Sequence, residues 1–221
     1  MKRTEARILR EYGPFPGVDT VAGVAFDGSH LWFASGDRLS ALDPEAGEIT
    51  GTLAVAGDAG TAFDGRHLWQ IAEAEIRKID PATGAVLATI PAPAGGGDSG
   101  LAWAEGALWV GDYRGRRIHQ VDPESGAVLR TIASDRFVTG VAWVEGELWH
   151  GTWEGEASDL RRIEPATGAV LERLEMPPGT GVSGLESDGA DRLFCGGGDA
   201  GRIRVVRRPG PAATPPPRPR G

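Results

Sequence analysis

Aromatic and charged side chains lie together in three short stretches of the chain, DYR at 112–114, DRF at 135–137 and HGTWE at 150–154. Aromatic rings with a few convergent charges suit a small-molecule site, because the rings exclude water and the charges fix orientation. We predict that these stretches supply aromatic walls and arginine ligands for an anionic group. The predicted ligand-binding residues are Trp153, Tyr113, Phe137, Arg114, Arg136 and, from a separate loop, Phe15.

Two further residues are candidates for proton transfer. His150 could act as a general base near neutral pH, with Glu154 or Asp112 as its orienting partner; alternatively it is a buried residue satisfied by a neighbouring strand. Glu186 stands where the other repeats have alanine, and a carboxylate buried there could be a catalytic acid with a raised pKa. It could equally be paired with Arg204. The predicted catalytic set is therefore His150, Glu154, Asp112 and Glu186.

The histidines are scattered over the repeats and show no compact metal-ligand spacing, which argues against a zinc site. No cofactor is evident from the sequence. A magnesium or calcium ion held by loop carboxylates and carbonyls stays open as an alternative.

A repeat of about 40 residues positions these side chains. Its first mark is Leu-Trp, and its second is a turn of the form Asp-Pro-x-x-Gly, with Glu in place of Asp in the fourth copy. The Leu-Trp copies are at 31–32, 68–69, 108–109 and 148–149, with Leu193-Phe194 as a fifth, and the turns are at 43–47, 80–84, 122–126 and 164–168. Each repeat holds four short apolar runs and no helical pattern, which predicts a blade of a β-propeller.

The predicted fold is all-β: a five-bladed β-propeller with four antiparallel strands per blade. The fifth repeat stops at Arg208, before its fourth strand, whereas residues 8–12 align with the fourth strands of other repeats. We therefore expect the N-terminal strand to complete the last blade and close the ring, which leaves no free sheet edge there. The predicted blades are about 20–57, 58–95, 98–135, 139–178, and 182–208 plus 5–12; residues 1–4 form an extension, 5–208 the single domain, and 209–221 a disordered Pro-rich tail.

The first hairpin of each repeat also predicts a strand register. Aligning the tight turns places a small residue opposite a large one in four blades, and Glu186 opposite Phe194 in the fifth. The predicted pairs are Ala25 with Trp32, Ala62 with Trp69, Ala102 with Trp109, and Ala142 with Trp149.

Composition restricts the class of partner. The net charge is −8, from 23 basic and 31 acidic residues, which argues against nucleic acid or an anionic membrane as the main partner. The single cysteine, Cys195, excludes an internal disulfide. No signal peptide and no membrane-spanning run is visible, so we expect a cytoplasmic protein.

The segments Leu108-Trp109-Val110-Gly111-Asp112 and Ile79-Asp80-Pro81-Ala82-Thr83-Gly84 carry a family resemblance. The chain resembles a broad group of bacterial propellers that includes the streptogramin (virginiamycin B) lyases and the propeller-type glutaminyl-peptide cyclotransferases. The resemblance covers nearly the whole folded chain, but its residues belong to the scaffold, so it implies a fold and no catalytic residue is carried over. Five blades favour the cyclotransferases over the seven-bladed lyases.

In a propeller, the connections from strand two to three and from strand four to the next blade open on one face around the axis, here called the channel-mouth face. The predicted site residues Tyr113, Phe137 and Trp153 map to this face in blades three and four. We therefore predict a small-molecule site there, which could be an enzyme site of the lyase, cyclotransferase or hydrolase type. The alternative is a non-catalytic scaffold that presents Trp153 to a protein partner.

Overall fold

The computed structural model describes residues 1–210, and these form 21 β-strands in five sheets without a helix. Four sheets have four antiparallel strands and the remaining one adds a parallel strand to its four, so the predicted five-bladed β-propeller is confirmed. The part of the predicted tail at 211–221 lies outside the described residues.

The blades are numbered in chain order. Blade one contains β3 (Val24–Phe26), β4 (Leu31–Ser35), β5 (Arg38–Asp43) and β6 (Glu48–Leu53), and blade two β7 (Thr61–Phe63), β8 (Leu68–Ala72), β9 (Glu75–Ile79) and β10 (Val86–Pro91). Blade three contains β11 (Asp98–Ala104), β12 (Ala107–Asp112), β13 (Arg117–Val121) and β14 (Val128–Ala133). Blade four contains β15 (Val141–Val144), β16 (Glu147–Glu154), β17 (Ala157–Ile163) and β18 (Val170–Glu175), and blade five β19 (Leu185–Ser187), β20 (Arg192–Gly196), β21 (Ile203–Arg207) and β2 (Ile8–Tyr12).

The N-terminal strand β2 is the outer strand of blade five and pairs antiparallel with β21. Two side chains fasten it on both sides: the Glu11 carboxylate accepts a hydrogen bond from Arg204 Nε at 2.7 Å, and the Tyr12 hydroxyl donates to Pro44 O of blade one at 2.7 Å. Ahead of it, β1 (Lys2–Glu5) adds a fifth, parallel strand to blade four. Residues 2–4 of the expected N-terminal extension are therefore part of a sheet.

The predicted register of the first hairpins is confirmed in all five blades. Each inner alanine is directly opposite the tryptophan of the next strand, and Glu186 is opposite Phe194. A small residue beside a large one lets the inner strands approach the axis while the indole rings fill the seams between blades. The register therefore follows from side-chain volume alone.

The five inner strands β3, β7, β11, β15 and β19 pack side by side in a ring around the axis. Each contains or follows a glycine on which a Cβ atom would lie under 3.0 Å from backbone atoms of the next blade. Only glycine permits this close approach. The ring glycines are Gly23, Gly60, Gly100, Gly140 and Gly184.

Candidate functional site

An open cleft of about 640 Å³ lies at the channel-mouth face of the propeller. The inner strand begins at this face in every blade, and the antiparallel second strand ends there, so both elements deliver side chains to the same place. The cleft is within the volume range of small-molecule sites. Its lining comes from all five blades: Ala22, Asp58, Ala59, Gly96, Gly97, Asp98, Ser99, Tyr113, Arg114, Thr139, Trp153 and Ser183.

The residue before each ring glycine is small and faces this cleft; the five are Ala22, Ala59, Ser99, Thr139 and Ser183. Two of the hydroxyl groups are occupied in joining blades: Ser99 Oγ lies 2.7 Å from Val138 O of blade four, and Ser183 Oγ hydrogen-bonds Val21 O of blade one. The third hydroxyl of the floor, Thr139 Oγ1, forms no hydrogen bond within residues 1–210.

Asp98, at the start of β11, is the buried carboxyl group of the cleft. Burial raises the pKa of this carboxyl, and the facing carboxylate of Asp112 raises it further, while the N–H groups of Ala94 and Gly96 oppose the rise. Those two N–H groups donate to Asp98 at 3.0 and 3.3 Å, and they fix the orientation of the side chain. A buried carboxyl that lines a cleft and is held in one orientation is placed to exchange a proton with a bound molecule.

Two exposed charged residues, Asp58 and Arg114, also line the cleft. Asp58 stands in blade two at the repeat position that Asp98 holds in blade three, and its carboxylate accepts the N–H of Glu73 at 3.3 Å. Arg114 follows β12 in the loop of blade three. The rim thus presents carboxylates of blades two and three and one guanidinium.

Trp153 forms the wall on the blade-four side and is half-buried. Its indole ring packs against Gly181 and Gly198, and a Cβ atom on either glycine would come under 3.0 Å from ring atoms. The indole N–H donates to Gly155 O at 3.0 Å. Trp153 therefore lies along the wall of a concave surface and does not project from the molecule.

Tyr113 forms the facing wall, and Phe137 lies behind it. The two rings stack with their centroids 4.7 Å apart, and the Arg116 guanidinium covers the Phe137 ring at 4.6 Å. Phe137 is absent from the lining of the cleft. The structure thus brings Trp153, Tyr113 and Arg114 to one cleft and gives Phe137 the position of a support.

Arg136 and Glu154, predicted for anion binding and proton transfer, bind each other. Arg136 Nη2 lies 3.0 Å from Glu154 Oε2, and the other carboxylate oxygen of Glu154 accepts the N–H of Phe137 at 3.1 Å. Neither residue lines the 640 Å³ cleft. Their contacts hold the loop between blades three and four in place, so Arg136 is already neutralised.

His150 is fully buried and does not reach the cleft. Burial lowers its pKa to about 4, and the nearby Arg161 cation adds to this effect. The imidazole is therefore neutral near pH 7, and its Nδ1 lies 3.2 Å from Gly151 O. Arg161 itself is fully buried and forms ion pairs with Asp159, at 2.7 Å, and with Asp135.

The remaining predicted residues are also away from the cleft. Asp112 lies behind Asp98 and accepts the N–H of Gly115 at 2.8 Å. Phe15 is buried in the seam of blades five and one, where it stacks on Phe33 with a centroid distance of 5.0 Å. Glu186 sits farther along its inner strand beside Phe26 of blade one, and burial raises the pKa of its carboxyl to about 8. It forms no ion pair with Arg204, which binds Glu11.

The sequence analysis missed Asp98 and Asp58, although a signal was present. Three blades have valine at this repeat position, Val21, Val138 and Val182, and two have aspartate. This exchange of an apolar for a charged residue between repeats is the signal in the sequence that marks Asp58 and Asp98.

Within residues 1–210, no group of three or more His, Cys, Asp or Glu side chains is arranged to hold a metal ion. The same part of the chain contains no helix long and apolar enough to cross a membrane.

No protein-family model matches the chain, and no curated protein matches it by sequence. Many solved structures are similar in fold, including a glutaminyl cyclase and a hydrazine synthase. The crystal structure of glutaminyl cyclase from Myxococcus xanthus has a TM-score of 0.77 at 21% identity and covers 93% of this chain and 97% of its own. Hydrazine synthase from Kuenenia stuttgartiensis has a TM-score of 0.52 at 19% identity, over 80% of this chain and 55% of its own. At these identities the likeness concerns the fold alone: this chain is a five-bladed β-propeller similar in architecture to a bacterial glutaminyl cyclase.

Proposed function

We propose that the protein binds a small molecule in the channel-mouth cleft and acts on it with Asp98 as general acid and base, in a reaction of the cyclotransferase type. The observation that carries the proposal is the buried Asp98 carboxyl, which lines the cleft, is oriented by two backbone N–H groups and has a pKa raised by burial. The likeness of fold to a glutaminyl cyclase supports the reaction class. Sequence analysis placed the site between blades three and four, and the cleft also draws on blades one, two and five.

The chemistry of a cyclotransferase makes two demands that this cleft can meet. When an amine attacks a side-chain amide of the same molecule, the amine must lose a proton and the departing ammonia must gain one. A single carboxyl group of raised pKa can accept the first proton and donate the second. Trp153 and Tyr113 would hold the substrate between them, so that amine and carbonyl meet in one orientation.

The alternative of a non-catalytic scaffold receives less support from the same residues. A protein partner would need Trp153 to project as an anchor, whereas its ring packs against two glycines and lines a concave cleft. A divalent cation at the rim carboxylates remains compatible with the proposal, and chelator treatment in the assay tests it.

The test is ammonia release from short peptides with an N-terminal glutamine, followed by mass spectrometry of the peptide. We expect turnover in the wild type and a loss of about 10²–10⁴-fold in kcat for Asp98→Asn, which keeps the shape but cannot exchange the proton. Asp58→Asn is the matched control, because it removes an exposed carboxylate from the same cleft. It should affect KM more than kcat.

Two results would overturn the proposal. Full activity of Asp98→Asn would remove the carboxyl from the chemistry. The small-molecule site itself would be refuted by two results together. The wild type would show no turnover, and no metabolite would raise its Tm by an amount that Trp153→Ala abolishes.

A further inference from the structure

The five seams between blades differ in how their outer part is filled. Between blades five and one, Arg10 of β2 extends over the ring of Tyr12 at 4.6 Å and reaches the Asp-Pro-x-x-Gly turn of blade one. There its guanidinium donates to Pro44 O at 2.9 Å and to Glu45 O at 3.1 and 3.2 Å. This seam is therefore closed by an arginine bound to the carbonyl groups of a Pro-Glu turn.

The seam between blades two and three has the same construction. Blade three carries the turn Asp-Pro-Glu-Ser-Gly at 122–126, and only this turn and that of blade one, at 43–47, have glutamate after the proline. Each turn packs on the preceding blade: Gly47 faces Arg10 and Tyr12, while Gly126 faces Pro91 and Ile90. The carbonyl groups of Pro123 and Glu124 thus correspond to those that bind Arg10.

The arginine is missing from this second seam. The strand registers place Ala88 of β10 in the row of Trp69 and Lys78, at the outer position that Arg10 holds in blade five. Blade three also has an arginine at this position, Arg130, whose guanidinium covers Trp109 at 5.0 Å, whereas blades one and four have Gly51 and Glu172 there. With alanine in its place, the seam between blades two and three contains an open groove of about 400 Å³.

The lining of this groove suits a cation. Its wall is the stacked pair Trp69 and Trp103, with centroids 6.0 Å apart, and its rim is Pro123 and Glu124. Lys78 also lies there, 5.2 Å above the Trp69 ring, but the Asp64 carboxylate at 4.0 Å balances its charge. The Glu124 carboxylate therefore gives the groove a net negative charge. Within residues 1–210, no side chain donates a hydrogen bond to Pro123 O or Glu124 O.

We propose that this groove binds an arginine side chain presented by a partner peptide, whose guanidinium occupies the place corresponding to that of Arg10. Trp103 packs against the arginine stem, the Pro123 and Glu124 carbonyls accept the guanidinium N–H groups, and the Glu124 carboxylate supplies the opposite charge. The groove lies on the outer part of the propeller and shares no lining residue with the channel-mouth cleft. The proposal is therefore independent of the proposed function.

The test is an NMR titration of the ¹⁵N-labelled protein with N-acetyl-arginine methylamide and with its lysine analogue, following the indole N–H signals of Trp69 and Trp103. We expect the arginine compound to shift these signals at millimolar concentration and to bind about tenfold more tightly than the lysine compound, because lysine lacks the planar fork that bridges two carbonyls. A tripeptide with arginine between two prolines should bind more tightly still, as a peptide partner requires.

Two variants decide the matter. Ala88→Arg should fill the groove as Arg10 fills its own seam, abolish binding of the arginine compound and raise the Tm. Leu87→Arg is the matched control: it adds the same charge at an exposed site of the same strand that does not line the groove, and it should leave binding unchanged. Equal binding to Ala88→Arg and wild type would overturn the proposal, as would equal affinity for the arginine and lysine compounds.

Discussion

The carboxyl of Glu186 makes the propeller less stable as pH rises, and its removal gives a measurable effect of predictable sign. Burial raises the pKa of this carboxyl from 4.5 to about 8, against the opposing N–H groups of Ser187 and Phe26. The folded state therefore holds a proton that the unfolded chain has released between these two pH values. The contribution of this group to stability is therefore largest below pH 4.5, falls between pH 4.5 and pH 8, and is lost above pH 8.

The size of the effect follows from the same two values. Each tenfold difference in proton affinity corresponds to about 1.4 kcal/mol, so the free energy of unfolding falls by at most about 4 kcal/mol between pH 5 and pH 9 because of this group. Glu186 is half-buried as a residue although its carboxyl is enclosed, and solvent screening reduces the expected effect to about 2 kcal/mol.

Glu186→Gln keeps the shape of the protonated side chain and removes its titration. We expect urea denaturation to show that the free energy of unfolding of the variant, relative to that of the wild type, increases by about 2 kcal/mol between pH 5 and pH 9. Glu48→Gln, at an exposed site of β6, controls for the loss of one negative charge. A difference between Glu186→Gln and wild type that stays constant with pH would refute the reasoning, because the carboxyl would then titrate alike in both states.

Three further substitutions test other parts of the structure. Gly140→Ala should destabilise the propeller by at least about 2 kcal/mol in urea denaturation, since its Cβ would lie under 3.0 Å from the backbone of Gly184 and Leu185, whereas Gly51→Ala, with 3.9 Å to its nearest neighbour, should be neutral or slightly stabilising. Arg161→Met should cost about 1–3 kcal/mol in the same assay, because it removes one of the two cations paired with the buried Asp159 carboxylate and leaves only Arg173 Nε, at 3.1 Å; an unchanged midpoint would show that the cluster is solvated. Trp153→Ala should weaken ligand binding at the cleft at least about tenfold in calorimetry without loss of the folded ring.

The blades and their register could be predicted from the sequence because volume decides them. A small residue faces each tryptophan where the inner strands meet at the axis, and this alanine–tryptophan pair recurs in four of the five repeats. The positions of Phe15 and Phe137 could not be predicted in the same way. Both map to loops, but a large apolar ring in a loop packs wherever a neighbour offers a surface, and Phe33 and Tyr113 offer one. Loop composition alone does not distinguish a cleft wall from its support.

The charged residues show a second reason for the limits of prediction. Arg136 and Glu154 are separated by seventeen intervening residues, yet the fold pairs them at 3.0 Å, so neither is available to a ligand. His150 lies in a strand position whose side chain faces a buried seam, and burial lowers its pKa to about 4. Asp98, by contrast, is buried at a place where the cleft begins. The difference between these residues lies in which side of a strand meets solvent.

Departures from the repeat therefore separate into two kinds. Some are matched by a second change: Glu186 replaces alanine opposite Phe194, which is smaller than the usual tryptophan, and Ser187 replaces an aromatic residue in a seam that Arg208 closes by binding Glu147 at 3.0 Å. Others have no such match. Asp98 introduces a carboxyl group where three other blades have valine, and Ala88 leaves a groove open at the position from which Arg10 closes the seam of blades five and one. Changes of the first kind preserve the packing of the fold. Changes of the second kind reduce its stability, and no neighbouring residue compensates for them. In a protein built of five similar units, unmatched departures are the positions at which function is to be sought.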